Sequence, residues 1–452
     1  MDARRSRRRE LDQPAIRPFE VTNRLVLSIA VPMTLAYVTT PLLGITATAV
    51  VGQLGDAALL GGLAAGAIIF DVVFTTFNFL RSGTTGLVAQ AFGRADAQGE
   101  QAAFWHAFAI AVASGIVLAF LGPMIGLAGS WFMDAGPRVT EAMHLYIGIR
   151  MLAAPFTLIN YAVLGYVLGR GQGGLGLLLQ IILNGTNIVL CVLLGLELGW
   201  GVAGVAWASV AGEFSATIIG MTYVMTRFRK LPPLPKSRLL DRKAFLLMVS
   251  VNRDIMIRSF SLLAAFALFT RQGAQEGTLA LAANAVLMNF FLVAGYFLDG
   301  FATAAEQLAG RAIGSRYRLA FDRAVRLTMI WGFGLAIASS AICLLFGDAL
   351  VRLITTALDV RDMAYAFMPW AALTPVTGVL AFQMDGVFIG ATWSRDMRNM
   401  MLLSFVVYLV ALIGLGKAFG NVGLWAALHI FLIVRGLSLL SVLQARIRAA
   451  FA

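Results

Sequence analysis

Two aspartates lie deep within long apolar runs and are the strongest candidates for chemistry. Asp299 occurs in Tyr296-Phe-Leu-Asp-Gly-Phe301 and Asp385 in Phe382-Gln-Met-Asp-Gly-Val-Phe388, each followed by a glycine that lets another backbone approach. A charge at mid-bilayer costs at least ~2.5–3.5 kcal/mol, so such residues usually face a bundle interior or an aqueous cavity. A desolvated carboxylate holds a proton more readily, so either could be a proton or substrate-cation site. The alternative is a buried ion pair, for example with Arg258, that only fixes helix packing.

Other polar residues within apolar runs extend this set. Glu306 follows Asp299 by seven positions, so both face one side of a helix. In the first half of the chain, Glu213 and Arg81 are the predicted ion pair. Buried amides often only join helices by hydrogen bonds, which is the alternative for the asparagines. The remaining candidates for a substrate cavity or a charge pair are Asp71, Asp254, Asn184 and Asn187.

Two arginines within the runs, Arg150 and Arg435, are assigned to helix ends, from which long side chains reach the membrane interface. The two cysteines, Cys191 and Cys343, fall inside apolar runs and are interpreted as small core residues, neither a disulfide nor a metal pair. The three histidines show no metal-ligand spacing. We therefore expect no metal and no cofactor.

Long apolar runs dominate the 452-residue chain. Hydrophobic residues make up 59% and charged residues only 13%, too few charges to cover a soluble domain. The runs reach roughly 20 residues, enough to cross a ~30 Å hydrocarbon core as a helix, whereas a barrel would show short alternating strands. The sequence predicts an all-α polytopic membrane protein of about twelve transmembrane helices, at residues 25–51, 57–80, 102–128, 140–168, 174–197, 202–226, 244–270, 278–304, 324–347, 363–391, 397–416 and 422–444.

Basic residues concentrate at alternate ends of these runs. The start of the chain, the even-numbered loops and the C-terminal end are arginine-rich, and the longest loop, from Arg227 to Lys243, is rich in proline. The positive-inside rule then predicts cytoplasmic termini in a bacterial inner membrane and an even number of spans. The net charge of +12 is explained by topology and not by nucleic-acid binding. The odd-numbered loops hold only Arg138, Arg271, Arg352, Arg361 and Lys417.

The two halves of the chain resemble each other at an offset of about 220 residues. Six helices per half give both halves the same orientation, so the repeat is parallel, about an axis along the membrane normal, as in transporters that rock two lobes around a central site. The matching strings are Gln90–Arg94 with Gln307–Arg311, Gly165–Gly169 with Gly386–Gly390, and Gly201–Gly204 with Gly420–Gly423.

The repeat and the long loop define the predicted organisation. It comprises a cytoplasmic Arg-rich segment (1–24), an N-lobe of helices 1–6 (25–226), a cytoplasmic linker (227–243) and a C-lobe of helices 7–12 (244–452).

Six sequence segments spread over nearly the whole chain together indicate one protein family specifically: Pro41–Leu54, Phe79–Gly93, Asn252–Ser259, Ala283–Met288, Leu298–Ala302 and Met384–Thr392. With them the chain resembles the multidrug and toxic compound extrusion (MATE) family, in its DinF branch. The resemblance implies two six-helix lobes in a V shape. It also implies efflux of amphipathic organic compounds, driven by inward flow of H⁺ or, less often, Na⁺.

The chain departs from the family pattern at two acidic positions of the first lobe. Ala47 stands where the family typically has an aspartate that is a principal proton or cation site, and Cys191 stands where a second acid is common. Neither can carry a transported proton in that way. Either coupling has moved to Glu213, Asp299, Glu306 or Asp385, or Ala47 is an engineered or degenerate change.

The expected function is that of a monomeric antiporter exporting amphipathic or cationic organic compounds, coupled to H⁺, by alternating access of two lobes. The alternative within transport is export of an organic anion or flipping of a lipid-linked molecule, with Arg81 and Arg258 holding negative charge. A membrane enzyme would need a His/Asp or metal cluster, which the scattered histidines do not provide. Channels are usually oligomers of few spans around a pore, unlike a chain with its own two-lobe repeat.

Overall fold

The computed structural model describes residues 16–134 and 136–452, and the described part is helical without strands. Much of the Arg-rich segment predicted for residues 1–24 therefore lies outside the described residues. The helices are α1 (Asn23–Gly52), α2 (Ala57–Thr76), α3 (Phe79–Gly93), α4 (Ala97–Met133), α5 (Pro137–Leu152), α6 (Ala154–Gly169), α7 (Gly173–Leu190), a π-helix (Cys191–Glu197), α8 (Gly201–Phe228), α9 (Lys236–Leu239), α10 (Arg242–Gln275), α11 (Thr278–Gly314), α12 (Arg318–Ile354), α13 (Leu358–Gly390) and α14 (Ser394–Phe451).

Counted with α10 and with the two parts of α14, the helices of the described chain agree with the prediction of about twelve spans. Nine segments of the described chain are long and apolar enough to span a membrane, and the bent pair α5–α6 is a tenth. Helix α10, with 34 residues, is long enough but carries several charges. Helix α14 contains two spans, because Gly420 has a non-helical backbone (φ 56°, ψ −131°) that L-residues other than glycine rarely adopt.

Side-chain caps place the start of several spans. The Thr22 hydroxyl accepts the Leu25 N–H at 3.2 Å, and Asp56 accepts the Ala58 N–H at 2.9 Å. A capping side chain satisfies one of the backbone donors that the first helical turn leaves free. The short loops can therefore reverse direction without leaving buried backbone groups unpaired.

The crossings form an N-lobe (α1–α8) and a C-lobe (α10–α14) that meet mainly through α11. This helix packs against α1 and α3 of the N-lobe. The Gln90 amide donates to the Gly390 carbonyl at 3.1 Å and to the Thr392 hydroxyl at 3.0 Å. These contacts lie toward the end that carries loops 93–97, 169–173, 228–242, 314–318 and 390–394, called here the arginine-rich end.

Glycines allow the lobes to approach closely at the arginine-rich end. A Cβ built on Gly310 of α11 would lie 2.7 Å from the Ala89 Cβ and 2.9 Å from the Gly390 carbonyl oxygen. Real Cβ atoms do not come this close, so the packing requires glycine at this position. Of the matching strings of the repeat, Gln90–Arg94 and Gln307–Arg311 thus lie where the lobes touch.

Candidate functional site

A cavity of about 560 Å³ lies between the lobes. Pockets of this size accommodate drug-sized ligands. Its walls combine aromatic rings with charged groups of both signs. The charged and aromatic residues that line it are Tyr37, Phe70, Asp71, Phe74, Arg81, Arg150, Tyr161 and Glu213 from the N-lobe, and Arg258, Tyr296, Asp299, Glu306, Phe382, Asp385 and Arg435 from the C-lobe.

Asp385 of α13 is held between two arginines on the C-lobe wall. Arg258 of α10 and Arg435 of α14 both donate from Nη2 to the same oxygen, Asp385 Oδ2. The alternative stated for Asp385, a buried ion pair with Arg258, is the arrangement found in the structure. The assignment of Arg435 to the membrane interface is wrong. Its side chain is 2% exposed and ion-paired inside the lobe.

Arg81 of α3 and Glu306 of α11 form an ion pair that joins the two lobes. Arg81 Nη1 lies 3.7 Å from Glu306 Oε2, and the other guanidinium nitrogens donate to Asn78 Oδ1 at 3.1 Å and Ser82 Oγ at 2.9 Å. Glu306 Oε1 has no hydrogen-bond partner among the described residues. The predicted pairing of Arg81 with Glu213 is therefore wrong.

Glu213 instead belongs to a hydrogen-bond network within the N-lobe. Asn160 Nδ2 donates to Glu213 Oε2 at 2.7 Å and to the Glu213 carbonyl oxygen at 2.9 Å. The Thr217 hydroxyl donates to the same carbonyl at 2.8 Å and lies 3.0 Å from Asn160 Oδ1. The sequence analysis did not select Asn160, although an amide within an apolar run was the available signal.

Asp299 lies on the cavity wall. The next residue, Gly300, is where α11 approaches α1 closely. None of the ion pairs found in the described part of the chain includes its carboxylate. The Thr303 hydroxyl donates to the Asp299 backbone carbonyl at 2.8 Å and lies 3.0 Å from the Tyr37 hydroxyl of the N-lobe. Asp299 and Glu306 both line the cavity, as their spacing predicted.

Arg150 also lines the cavity, and its assignment to the membrane interface is wrong. It lies in the last turn of α5, but this helix end is the bend within a span, where α6 continues at 50°. The Arg150 guanidinium carbon lies 3.8 Å from the centroid of the Phe70 ring, and the residue is 8% exposed. Asp71, next to that ring, faces the same cavity.

The structure separates the remaining candidates. Asn184 lines the cavity and donates to the Thr39 hydroxyl at 2.7 Å. Asn187 lies outside the cavity lining and donates to Ser209 Oγ at 2.8 Å, so it joins α7 to α8. Asp254 is also outside the lining. It pairs with Arg398 Nη1 at 2.7 Å and accepts from Ser394 Oγ at 3.0 Å, so it joins α10 to α14.

The two positions where family acids are replaced lie outside the cavity lining. Ala47 is partly buried and packs against the hydrophobic core. Cys191 is fully buried, with a free thiol, at the start of the π-helix. Within residues 16–134 and 136–452, no group of three or more His, Cys, Asp or Glu side chains is arranged to hold a metal ion.

Comparison with known proteins agrees with this two-lobe arrangement. The MatE family model matches residues 32–193 and 255–413, one segment in each lobe. The chain belongs to the MatE family. The resemblance stated from the sequence strings is thereby confirmed, and this MATE protein is a transporter and not an enzyme.

Two bacterial proteins are similar to the chain over nearly its whole length. The chain is 35% identical to DNA damage-inducible protein F of Escherichia coli over 93% of this chain and 92% of the relative. It is 28% identical to the probable multidrug resistance protein NorM of Deinococcus radiodurans over 94% and 96% of the two chains.

Solved MATE structures share the fold. A MATE crystal structure in the straight conformation superposes with a TM-score of 0.85 at 18% identity, covering 94% of this chain and 96% of that one. A MOP superfamily transporter from Pyrococcus furiosus gives 0.84 at 17% identity, over 95% and 96%. These matches support the two-lobe architecture of the efflux family.

Proposed function

We propose that this MATE protein exports amphipathic or cationic organic compounds in exchange for protons, and that Asp299 and Glu306 are the coupling carboxylates. The observation that carries the proposal is the state of Asp299: a carboxylate on the cavity wall without an ion-pair partner in the described structure. Such a group can exchange a proton or a cationic ligand with the cavity, because no arginine has to be released first.

Protonation of Glu306 would directly affect the contact between the two lobes. It lies on the same helix as Asp299, and its only ion pair in the described structure crosses to Arg81 of the N-lobe. A proton on Glu306 removes the charge that attracts Arg81, so it weakens one contact that holds the lobes together. A proton on Asp299 removes a negative charge from the cavity and favours release of a cationic substrate.

Asp385 and Glu213 are weaker candidates for coupling. Asp385 accepts from two arginines, and protonation would leave both guanidinium groups without their carboxylate. Glu213 is 8% exposed and is held by Asn160. We assign structural roles to both residues: Asp385 fixes α10, α13 and α14 together, and Glu213 fixes α6 to α8.

The orientation follows from the basic loops. We propose a bacterial inner membrane with both termini and the arginine-rich end in the cytoplasm. Because the lobes pack together at that end, the cavity would open toward the periplasm, the side of substrate release. A fluorescent-protein fusion at Ala452 should then fold and fluoresce, whereas a periplasmic alkaline phosphatase at the same position should be inactive. We further propose that the chain works as a monomer in the bilayer, without nucleic acid.

The organic-anion alternative, including a lipid-linked substrate, depended on Arg81 and Arg258. Both now have carboxylate partners, Glu306 and Asp385 respectively. Arg258 shares its partner with Arg435, but the cavity lining as a whole has five carboxylates and four arginines, so the cation exporter is favoured.

Purified protein in liposomes tests the proposal. A dye such as ethidium should move under an imposed pH gradient, and an equal Na⁺ gradient should not drive it. Asp299→Asn and Glu306→Gln should remove most of the pH-driven flux. Asp348→Asn, an exposed carboxylate paired with Arg352 far from the cavity, is the matched control and should retain it. Undiminished pH-driven flux in both cavity variants, or flux driven only by Na⁺, would reject the assignment.

A further inference from the structure

Arg150 is a buried cation on the N-lobe wall whose charge is not neutralised by a contact. It is 8% exposed, and both Nε and Nη1 lack hydrogen-bond partners. No ion pair found in the described part of the chain includes it, although the cavity's other three arginines are all paired. Burying an unpaired charge is strongly destabilising, so a guanidinium in this state is expected to have a ligand.

The surrounding residues hold this guanidinium in a fixed place. It stacks on Phe70, which in turn stacks on Phe74 with the ring centroids 4.1 Å apart. The bend after α5 is supported by Gly115 of α4, because a Cβ there would lie 2.7 Å from the Pro155 nitrogen. Arg150 therefore projects from a rigid broken span and not from a mobile loop. A preorganised, partly desolvated arginine is well suited to bind a carboxylate or sulfonate.

Negative groups lie near Arg150 without pairing with it. Glu213 is engaged by Asn160. Asp71, on the helix that supplies Phe70, is exposed to the cavity and has no ion-pair partner in the described structure. The N-lobe wall thus presents a fixed cation and a free carboxylate next to the largely buried Phe70–Phe74 pair.

We propose that the N-lobe wall is a subsite for amphipathic zwitterions. Arg150 binds the anionic group of the ligand, its cationic group faces Asp71, and its apolar body occupies the cavity. This rests on the proposed export function, since it names the substrate class for the same cavity. It differs from the organic-anion alternative, which used Arg81 and Arg258.

A matched pair of dyes tests the subsite. Tetramethylrhodamine with a free carboxylate is a zwitterion, and its methyl ester carries the same cationic ring system without the anionic group. Fluorescence anisotropy of each dye would be measured against the full-length protein in detergent. The wild type should bind the acid about tenfold more tightly than the ester, the size expected for one charge-assisted hydrogen bond.

Substitutions of Arg150 test whether this residue causes the preference for the acid over the ester. Arg150→Gln should remove the difference between the two dyes by weakening acid binding while ester binding stays within about twofold. Arg150→Lys, which keeps the charge, should retain part of the preference. Arg138→Gln is the matched control, because Arg138 lies on the same helix but is 75% exposed and pairs with Asp56 outside the cavity.

Two results would overturn the proposal. One is equal affinity of the wild type for acid and ester. The other is an equal loss of both affinities in Arg150→Gln, which would make Arg150 a structural residue. If Arg150→Gln is not monodisperse in gel filtration, Arg150→Lys decides: a reduced but retained preference for the acid supports a charge contact, and an equal loss of acid and ester binding overturns the proposal. Because binding is measured without any gradient, failure of ion coupling in liposomes leaves this result unaffected.

Discussion

Arg81 and Glu306 face each other where the two lobes meet, with Arg81 Nη1 3.7 Å from Glu306 Oε2. The arginine lies in the N-lobe and the glutamate in the C-lobe, so the pair holds the two lobes together in this conformation. Its side chains are 13% and 3% exposed, which limits screening by water.

This pair should show a measurable coupling energy. Arg81→Gln and Glu306→Gln should each lower the thermal stability of the detergent-purified protein, because each leaves a buried charge alone. The double variant should lose less stability than the two single variants lose together. The difference, the interaction energy of the pair, should be about 0.5–3 kcal/mol, as is usual for contacting charged residues. Scanning fluorimetry of the wild type, the two single variants and the double variant provides this double-mutant cycle. Additive losses would mean that the two groups do not interact in the dominant conformation.

Asp385 should be the most stability-critical carboxylate of the cavity. Asp385→Asn leaves Arg258 and Arg435 without a counter-charge and should cost about 3–5 kcal/mol, the usual effect of removing one partner from a buried ion pair. Thermal unfolding in detergent measures the loss.

A second substitution separates charge from packing in this cluster. Adding Arg435→Gln to Asp385→Asn removes one unpaired guanidinium and should restore part of the stability. Asp348→Asn is the control: its exposed pair with Arg352 at 3.0 Å should have no measurable effect. An Asp385→Asn protein as stable as this control would show that the arginines do not need the carboxylate.

The sequence predicted most of the charged residues that line the cavity but not how they pair. Asp299 and Glu306 were placed on one face because seven residues make nearly two helical turns. The partner of Arg81 was wrong because Glu306 belongs to the other lobe, and hydrophobic patterning contains no information about which buried charges meet across lobes.

The wrong assignment of two arginines to the membrane interface has a different cause. Arg435 was assigned to an interface, yet it lies in the middle of the second span of α14, where Asp385 neutralises it. Arg150 does end a helix, but that end lies within a bent span. Runs of apolar residues indicate where a span lies, whereas a bend inside it depends on packing such as that of Gly115 against Pro155.

Restoring the acid that the family typically has in its first helix should not move the coupling site. Ala47 packs against the N-lobe core outside the cavity lining, so we expect Ala47→Asp to leave the ratio of H⁺-driven to Na⁺-driven flux unchanged in liposomes. Some loss of stability is expected from the buried polar group.

Ala47→Asn is the matched control for this substitution, since it has the same shape and polarity without the charge. A gain of Na⁺-driven flux, or a steeper pH dependence, in Ala47→Asp but not in Ala47→Asn would show that the N-lobe still contains a latent ion site. The assignment of coupling to Asp299 and Glu306 alone would then be wrong.

Glycine packing at the arginine-rich end should determine which conformation is populated. In Gly310→Ala the new methyl group would meet the Ala89 Cβ and the Gly390 carbonyl, so α11 must move away from α3 and α13. We expect the closed end to loosen and states open at the arginine-rich end to gain population. Spin labels at the exposed positions Arg94 and Leu319, in a background lacking Cys191 and Cys343, would report this as a longer inter-lobe distance.

The control for this change is Gly185→Ala in α7, where a Cβ meets nothing within 4 Å. Alanine there should leave the inter-lobe distance unchanged and add a little stability, since alanine favours the helix over glycine by about 1 kcal/mol. If Gly310→Ala gives the same distance distribution as Gly185→Ala, the close approach of α11 to α3 does not hold the lobes shut. The Arg81–Glu306 pair and the Gln90 hydrogen bonds would then have to maintain that closure themselves.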